Sequence, residues 1–259
     1  MTTRSVIAAA STGVISLLVG NTVGQAADLI VLSAIAMQTV MQDLGPKFER
    51  ASGHKLAIAF GTMGQVVRRL QDGEAADVII IPRPGIDDFI KSGKIEAGNV
   101  TDVAYSIMGV AVRRGAPRPD ISTSEAFKHA LLAAQSFTYP NPATGAAVGG
   151  YIVQLLDRLG ITDEMKPKTV LLTKPGLTPN LVANGEAEIT VNHVQELVPI
   201  AGIEIVGPLP DELQNRFVFS AAIVAGSKQT EASKALVAFL RTPQAAAVIK
   251  EKGMEPSAQ

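Results

Sequence analysis

The sequence predicts an α/β protein built from two similar halves. Short apolar runs alternate with stretches whose apolar residues recur at helical spacing, in the order β-α-β-α-β. The run Asp77–Ile81 is continuously apolar after its first residue, as in a parallel strand buried on both faces. The same alternation restarts in the middle of the chain, without a tandem repeat at fixed period.

Each element follows from its residues. Val31–Ala34 reads as a strand, and Met37–Arg50 as a helix with Val40, Met41, Leu44 and Phe48 on one face. Ser52-Gly53-His54 is a turn. Lys55–Phe60 is a strand, followed by a Gly-flanked loop, Gly61–Gly64. Gln65–Gln71 is a helix that turns Val66, Val67 and Leu70 inward and ends near Gly73, and Asp77–Ile81 closes this half. The second half opens with a strand at Ile107–Val112 and a Pro-rich turn at Ala116–Ile121. A helix then starts with capping chemistry at Ser122–Glu125. Ser136–Tyr139 is a strand, Asn141–Gly150 a Gly/Ala/Pro loop, and Tyr151–Leu159 a helix. Strands at Thr169–Leu172 and Ile189–Asn192 flank a short helix at Pro179–Asn184, and a helix follows at Val194–Leu197. The chain ends with a strand at Phe217–Val224 and helices at Glu231–Leu240 and Pro243–Lys250.

Composition excludes several function classes. Of 259 residues, 47% are hydrophobic and 18% charged, which suits a sizeable core. Aromatics are only 4% and Trp is absent, which disfavours sugar-stacking platforms. A net charge of -1 gives no global field to recruit nucleic acid. The lack of cysteine rules out disulfides, thiolate metal sites, Cys nucleophiles and a lipid anchor on Cys. Three dispersed histidines give no support for a transition-metal site, so no metal or cofactor is expected. No P-loop, G-x-S-x-G or H-E-x-x-H occurs, so hydrolase chemistry lacks a nucleophile constellation.

The first residues have a character of their own. Arg4 is the only charge before Asp28, an Ala-rich apolar stretch follows, and Val23–Ala27 offers small residues for cleavage. Gly13, Ser16, Gly20, Asn21 and Thr22 make the stretch too polar for a span of about 20 apolar residues. Residues 1–26 are therefore expected to be a cleaved secretory signal and the protein to be periplasmic.

Ligands of open α/β sheets bind at the carboxyl ends of strands, where the next helices start. Four loops are expected to converge there: 34–38, 61–64, 142–150 and 190–195. Thr62 sits between glycines at a helix entrance, where it can cap the helix or donate to an anion. Thr144 is the corresponding hydroxyl in the second half. Arg83, in Ile81-Pro82-Arg83-Pro84, either grips a carboxylate with its fork of donors or stands on the surface. Asn192-His193 ends an apolar strand; His193 can hydrogen-bond a ligand, act as acid or base, or cap the next helix. Arg68, Arg69, His54, His129, Asp87-Asp88 and Glu186/Glu188 read as solvated surface.

Three segments together resemble the periplasmic molybdate-binding protein family and its wider two-lobed solute-binding relatives. They are VLSAIAMQTVMQDLGPKFERASGHKLAIAF, FGTMGQVVRRLQDGEAADVIII and NGEAEITVNHVQEL with the following VGPLPDELQ. The resemblance covers about residues 28–256. It implies a type II periplasmic-binding-protein fold with a ligand cleft between lobes. Lobe one would hold residues 27–105 plus 221–259 and lobe two 106–220, with crossings near Ala104–Val110 and Phe217–Ala222. It also implies a monomer that closes over a small anion and docks on an ABC permease. The expected ligand-binding residues are Ala36, Met37, Thr62, Met63, Gly64, Arg83, Thr144, Asn192 and His193. The relatives usually place hydroxyls where this chain has Ala36 and Met63, and a tyrosine where it has His193. With those donors gone, the expected ligand is a di- or tricarboxylate rather than molybdate. One alternative is an aconitate isomerase-like enzyme without cofactor, with His193 as the base and Arg83, Thr62 and Thr144 holding carboxylates. A second is a molybdate or tungstate transport component.

Overall fold

The computed structural model describes residues 26–173 and 177–258. The expected signal segment lies outside them except for Ala26. No helix among the described residues is long and apolar enough to cross a membrane.

The first half runs β1 (Asp28–Ala34), a 3-10 turn (Ile35–Met37), α1 (Gln38–Ser52), β2 (Lys55–Gly61), α2 (Met63–Gln71), β3 (Val78–Pro82), α3 (Arg83–Lys91) and β4 (Ile95–Ser106). The middle runs β5 (Met108–Arg113), α4 (Ser124–Ala133), β6 (Phe137–Thr138), α5 (Ala147–Arg158), α6 (Thr162–Met165), α7 (Pro179–Ala183), β7 (Ile189–His193), α8 (Val194–Leu197) and β8 (Ile203–Pro208). The chain returns through β9 (Phe217–Val224), α9 (Thr230–Phe239), α10 (Pro243–Glu251) and β10 (Glu255–Pro256).

These strands form two sheets. The larger has the order β10-β4-β9-β3-β1-β2 and the smaller β6-β7-β5-β8. β1 pairs in parallel with β2 and β3, while β9 runs antiparallel between β3 and β4. In the smaller sheet β6 and β7 are parallel and β5 is antiparallel to both its neighbours. The chain crosses from the larger sheet to the smaller with only Ile107 between β4 and β5, and returns between β8 and β9. β9 pairs within the larger sheet from Phe217 onward.

Each sheet has its own core. β3 is buried at every residue, as its unbroken apolar run requires. α1 adds Val40, Met41, Leu44 and Phe48 to the same core, each at most 1% exposed and each contributing about 1.5–3 kcal/mol by burial. The smaller sheet separates two clusters. One is built around Phe127, Phe137, Ile152 and Val191, the other around Ala111, Val182 and Leu197.

Several elements depart from the sequence reading. Arg83–Lys91, given no element from the sequence, is a helix; it tolerates Pro84 because that residue lies in its first turn, where a missing N–H costs nothing. β4 carries polar residues such as the exposed Glu96 and the half-buried Asn99, which hide its strand character; pairing with β9 and β10 fixes it. Thr169–Leu172 reduces to one bridge, Phe137 to Thr169.

Candidate functional site

A cavity of about 50 Å3 lies between the two sheets. That is several times the roughly 10–15 Å3 needed for one water on the same measure, so it suits a small solute. The larger sheet contributes the turn after β1, the loop after β2, Pro82 at the end of β3, and Phe219. The smaller contributes Asn141 and Thr144 beyond β6, the start of α5, and Thr178, His193 and Glu196. All four loops singled out from the sequence thus reach one place, at strand carboxyl ends.

Helix starts supply neutral donors. α5 has no side-chain cap, and the N–H groups of Ala147 and Val148, in the cavity wall, have no acceptor among the described residues. Such a helix start attracts an anion through its free N–H groups and its dipole. Among the described residues, no Lys or Arg lines the cavity and no group of side chains could hold a metal ion.

The two sides also touch each other directly. Thr62 caps α2: its hydroxyl accepts from Gln65 N–H at 3.2 Å, and its own N–H donates to Gln65 Oε1 at 2.9 Å. The Thr62 hydroxyl proton goes across the cleft to the carbonyl of Thr144. Beside it, Gly64 N–H donates to the carbonyl of Gly145 at 3.0 Å. A Cβ on Gly145, whose φ is 78°, would stand 2.6 Å from the Gly64 Cα. Only glycine lets these two backbones meet. The lobes therefore stand closed over the cavity.

The chemistry lies on the second side. Burial of Glu196 pushes its carboxyl up to about 7, only partly offset by Asn192 Nδ2, which donates to Oε2 at 3.0 Å. Burial pushes the imidazole of His193 down to about 3, so it is neutral at physiological pH. His193 stands edge-on to Phe217 and Phe219, with ring centroids 4.9 and 5.4 Å away. Its Nδ1 lies 2.8 Å from Ser106 Oγ. No partner of Nε2 occurs among the described residues.

The expected site residues separate into groups. Ala36, Thr62, Met63, Thr144 and His193 line the cavity. Met37 is fully buried beneath the wall, and Gly64 forms the seam with Gly145. Asn192 stands behind the wall, bonded to Thr178 and Glu196. Arg83 is outside the cavity. Its Nε donates to Asp87 at 2.8 Å and its Nη1 to Asp102 at 3.0 Å, which holds the guanidinium between two carboxylates of its own chain. The sequence reading missed Glu196, Asn141, Thr178 and Phe219. Glu196 had one signal: in a helix starting right after β7, it falls in the first turn, beside the strand's end.

The chain matches, over residues 29–255, the family described as bacterial extracellular solute-binding protein, and it belongs to that family. Aconitate isomerase of Pseudomonas sp is 33% identical over 234 residues, covering 88% of this chain and 87% of that protein. The molybdate-binding protein ModA of Azotobacter vinelandii is 28% identical over 241 residues, covering 88% and 90%. The solved Azotobacter vinelandii periplasmic molybdate-binding protein superposes with a TM-score of 0.74 at 20% identity, covering 89% of this chain and all (100%) of that one. The expected type II binding-protein fold is thus the fold found, and the protein is a member of the extracellular solute-binding family.

Proposed function

We propose that this solute-binding protein takes a small di- or tricarboxylate into the cleft and shuts its lobes over it. The observation that carries this reading is Glu196. An acidic side chain in a wall without a described cation is a poor neighbour for a fully ionised tetrahedral dianion. A carboxylate ligand is different, because it can share one proton with a carboxyl that titrates near neutrality. Asn192, which donates to Glu196, and Thr178 and the neutral His193 in the same wall add no charge, so its proton responds mainly to the ligand. The start of α5 meets the remaining negative charge. The setting we infer is the periplasm, with residues 1–26 as a removable signal and an ABC permease as the acceptor of the closed form.

A second reading is proton transfer between carbons of an allylic tricarboxylate, as in an aconitate isomerase. It is favoured by the relative of that name and by the same Glu196. Ionised Glu196 would take a proton from the methylene carbon, and the electron pair would shift along the double bond. The carboxyl would then return the proton to the far carbon, leaving atoms and charge balanced. A group near pKa 7 suits this work; a neutral imidazole held near 3 is too weak a base, so the role expected of His193 passes to Glu196.

Calorimetry with citrate, trans-aconitate, cis-aconitate, molybdate and sulfate at pH 6 and pH 8 tests the binding reading. Carboxylates should bind with little proton uptake at pH 6, where Glu196 already holds its proton, and with uptake of about one proton at pH 8, weakening as pH rises above about 7 by at most roughly tenfold per unit. Molybdate binding tighter than any carboxylate, without proton uptake, overturns it. Turnover of trans-aconitate that is lost in Glu196→Gln while binding persists selects the enzyme; binding without turnover selects the receptor.

A further inference from the structure

The one imidazole in the cavity wall has its hydrogen-bonding role fixed from behind. Ser106 Oγ lies 2.8 Å from His193 Nδ1 and 2.6 Å from Gln195 Oε1. Ser106 and Gln195 are each 1% exposed, so bulk solvent does not compete for these bonds. A serine hydroxyl carries one proton and can give it to only one of these neighbours. With the amide oxygen of Gln195 facing Ser106, the proton goes to the amide. His193 Nδ1 must then carry its own hydrogen, and Nε2 faces the cavity as a bare lone pair. That orientation also leaves Gln195 Nε2 buried with no partner, so both its N–H donors go unmet. A half-turn of the amide places NH2 on Ser106, so that one of these donors is satisfied and the buried acceptor left over is the less costly orphan. The hydroxyl now accepts from Gln195 and hands its proton to His193 Nδ1 at 2.8 Å, the much nearer acceptor, since the Ile107 carbonyl stands 3.4 Å away. The imidazole hydrogen then sits on Nε2, the ring nitrogen without a partner among the described residues.

We propose that Gln195 and Ser106 are positioning residues that hold His193 in its Nε2–H form, making a neutral imidazole a fixed hydrogen-bond donor to a ligand oxygen in the cleft. The donor replaces, without adding charge, the hydroxyl that a tyrosine would offer. It also bars His193 from accepting a substrate proton, which leaves that task to Glu196. Burial of the ring agrees, since it keeps the imidazole neutral across physiological pH. The proposal takes the cleft as the anion site, but the relay itself is tested without a ligand.

The test is long-range 1H–15N correlation of the imidazoles in the unliganded protein at pH 7. Only three histidines contribute, and His54→Asn and His129→Asn assign the spectrum. His54, whose Nδ1 accepts from Ala27 N–H at 3.1 Å, provides an internal Nε2–H reference. His193 should show the Nε2–H pattern. Ser106→Ala should release it towards the Nδ1–H form and weaken binding of citrate by about tenfold. Ser106→Thr should restore both, and Gln195→Glu, which offers acceptors only, should drive His193 to Nδ1–H. A wild-type spectrum of the Nδ1–H form, or a tautomer unchanged in Ser106→Ala, overturns the proposal. If Gln195→Glu fails to fold, the wild-type and Ser106→Ala spectra still decide. An Nε2–H spectrum in a protein that binds none of the carboxylates supports the relay and overturns the ligand reading instead.

Discussion

The two walls of the cleft are built for different tasks. The wall from the larger sheet is apolar and backbone-rich: Ala34, Ala36, Gly61, Met63, Pro82 and Phe219, with one hydroxyl at Thr62. That hydroxyl is already spent on capping α2 and on the carbonyl of Thr144. The wall from the smaller sheet holds both titratable groups, His193 and Glu196, together with Asn141, Thr178 and the uncapped start of α5. One side supplies shape and closure; the other supplies recognition. The difference teaches that Ala36 and Met63, which bring no hydroxyl to their wall, do not leave the site without polarity. The polarity is concentrated on the opposite wall.

Substitutions on each side can break this contrast. The largest effect is expected at Glu196. Its folded value of about 7 lies above the 4.5 of a free glutamate. Its contribution to stability is therefore fully present below about 4.5 and is lost as pH rises through about 7. Glu196→Gln should gain on the wild type over that window by about 3 kcal/mol, read from denaturant midpoints at pH 4.5 and pH 8. A gap that does not change with pH would place Glu196 outside the titrating side. His193 acts in the opposite sense, since its depressed value costs stability as pH falls below 6.5 towards about 3.

On the closing side, Gly145→Ala should leave each core intact but keep the backbones apart. Overpacking of this kind costs about 2–3 kcal/mol, or roughly a hundredfold in citrate affinity. Calorimetry and small-angle scattering read the two parts, and unchanged affinity would separate the seam from binding. Thr62→Val should be milder, losing about 1 kcal/mol of cap stability and one bond across the cleft. The smallest change belongs to Arg83→Lys. The guanidinium lies outside the cavity between Asp87 and Asp102, half exposed, so affinity should stay within about twofold and stability within about 1 kcal/mol. A large loss of affinity there would restore Arg83 to the site.

Much of this was legible in the sequence. Apolar runs and helical spacing gave β1, α1, β2, α2 and β3 to within a few residues, because each buries one continuous face. The four cleft loops followed from the rule that strand carboxyl ends hold ligands. β4 was hidden because its polar residues face outward and only its partners make it a strand. Arg83 misled because its acceptor Asp102 arrives from the far end of β4, a neighbour that local sequence does not reveal. Glu196 was missed because burial, rather than residue type, makes it unusual; in the sequence it is one acid among 24 acidic residues.

The glycine-on-glycine seam also sets a clock. Peptide groups of Gly64 and Gly145, together with the Thr62–Thr144 bond beside them, must part before any occupant leaves. Departure is then timed by the rate at which the protein gapes, whatever it carries. Cargoes of unequal affinity would have similar residence times, and their discrimination would fall on how readily each is admitted.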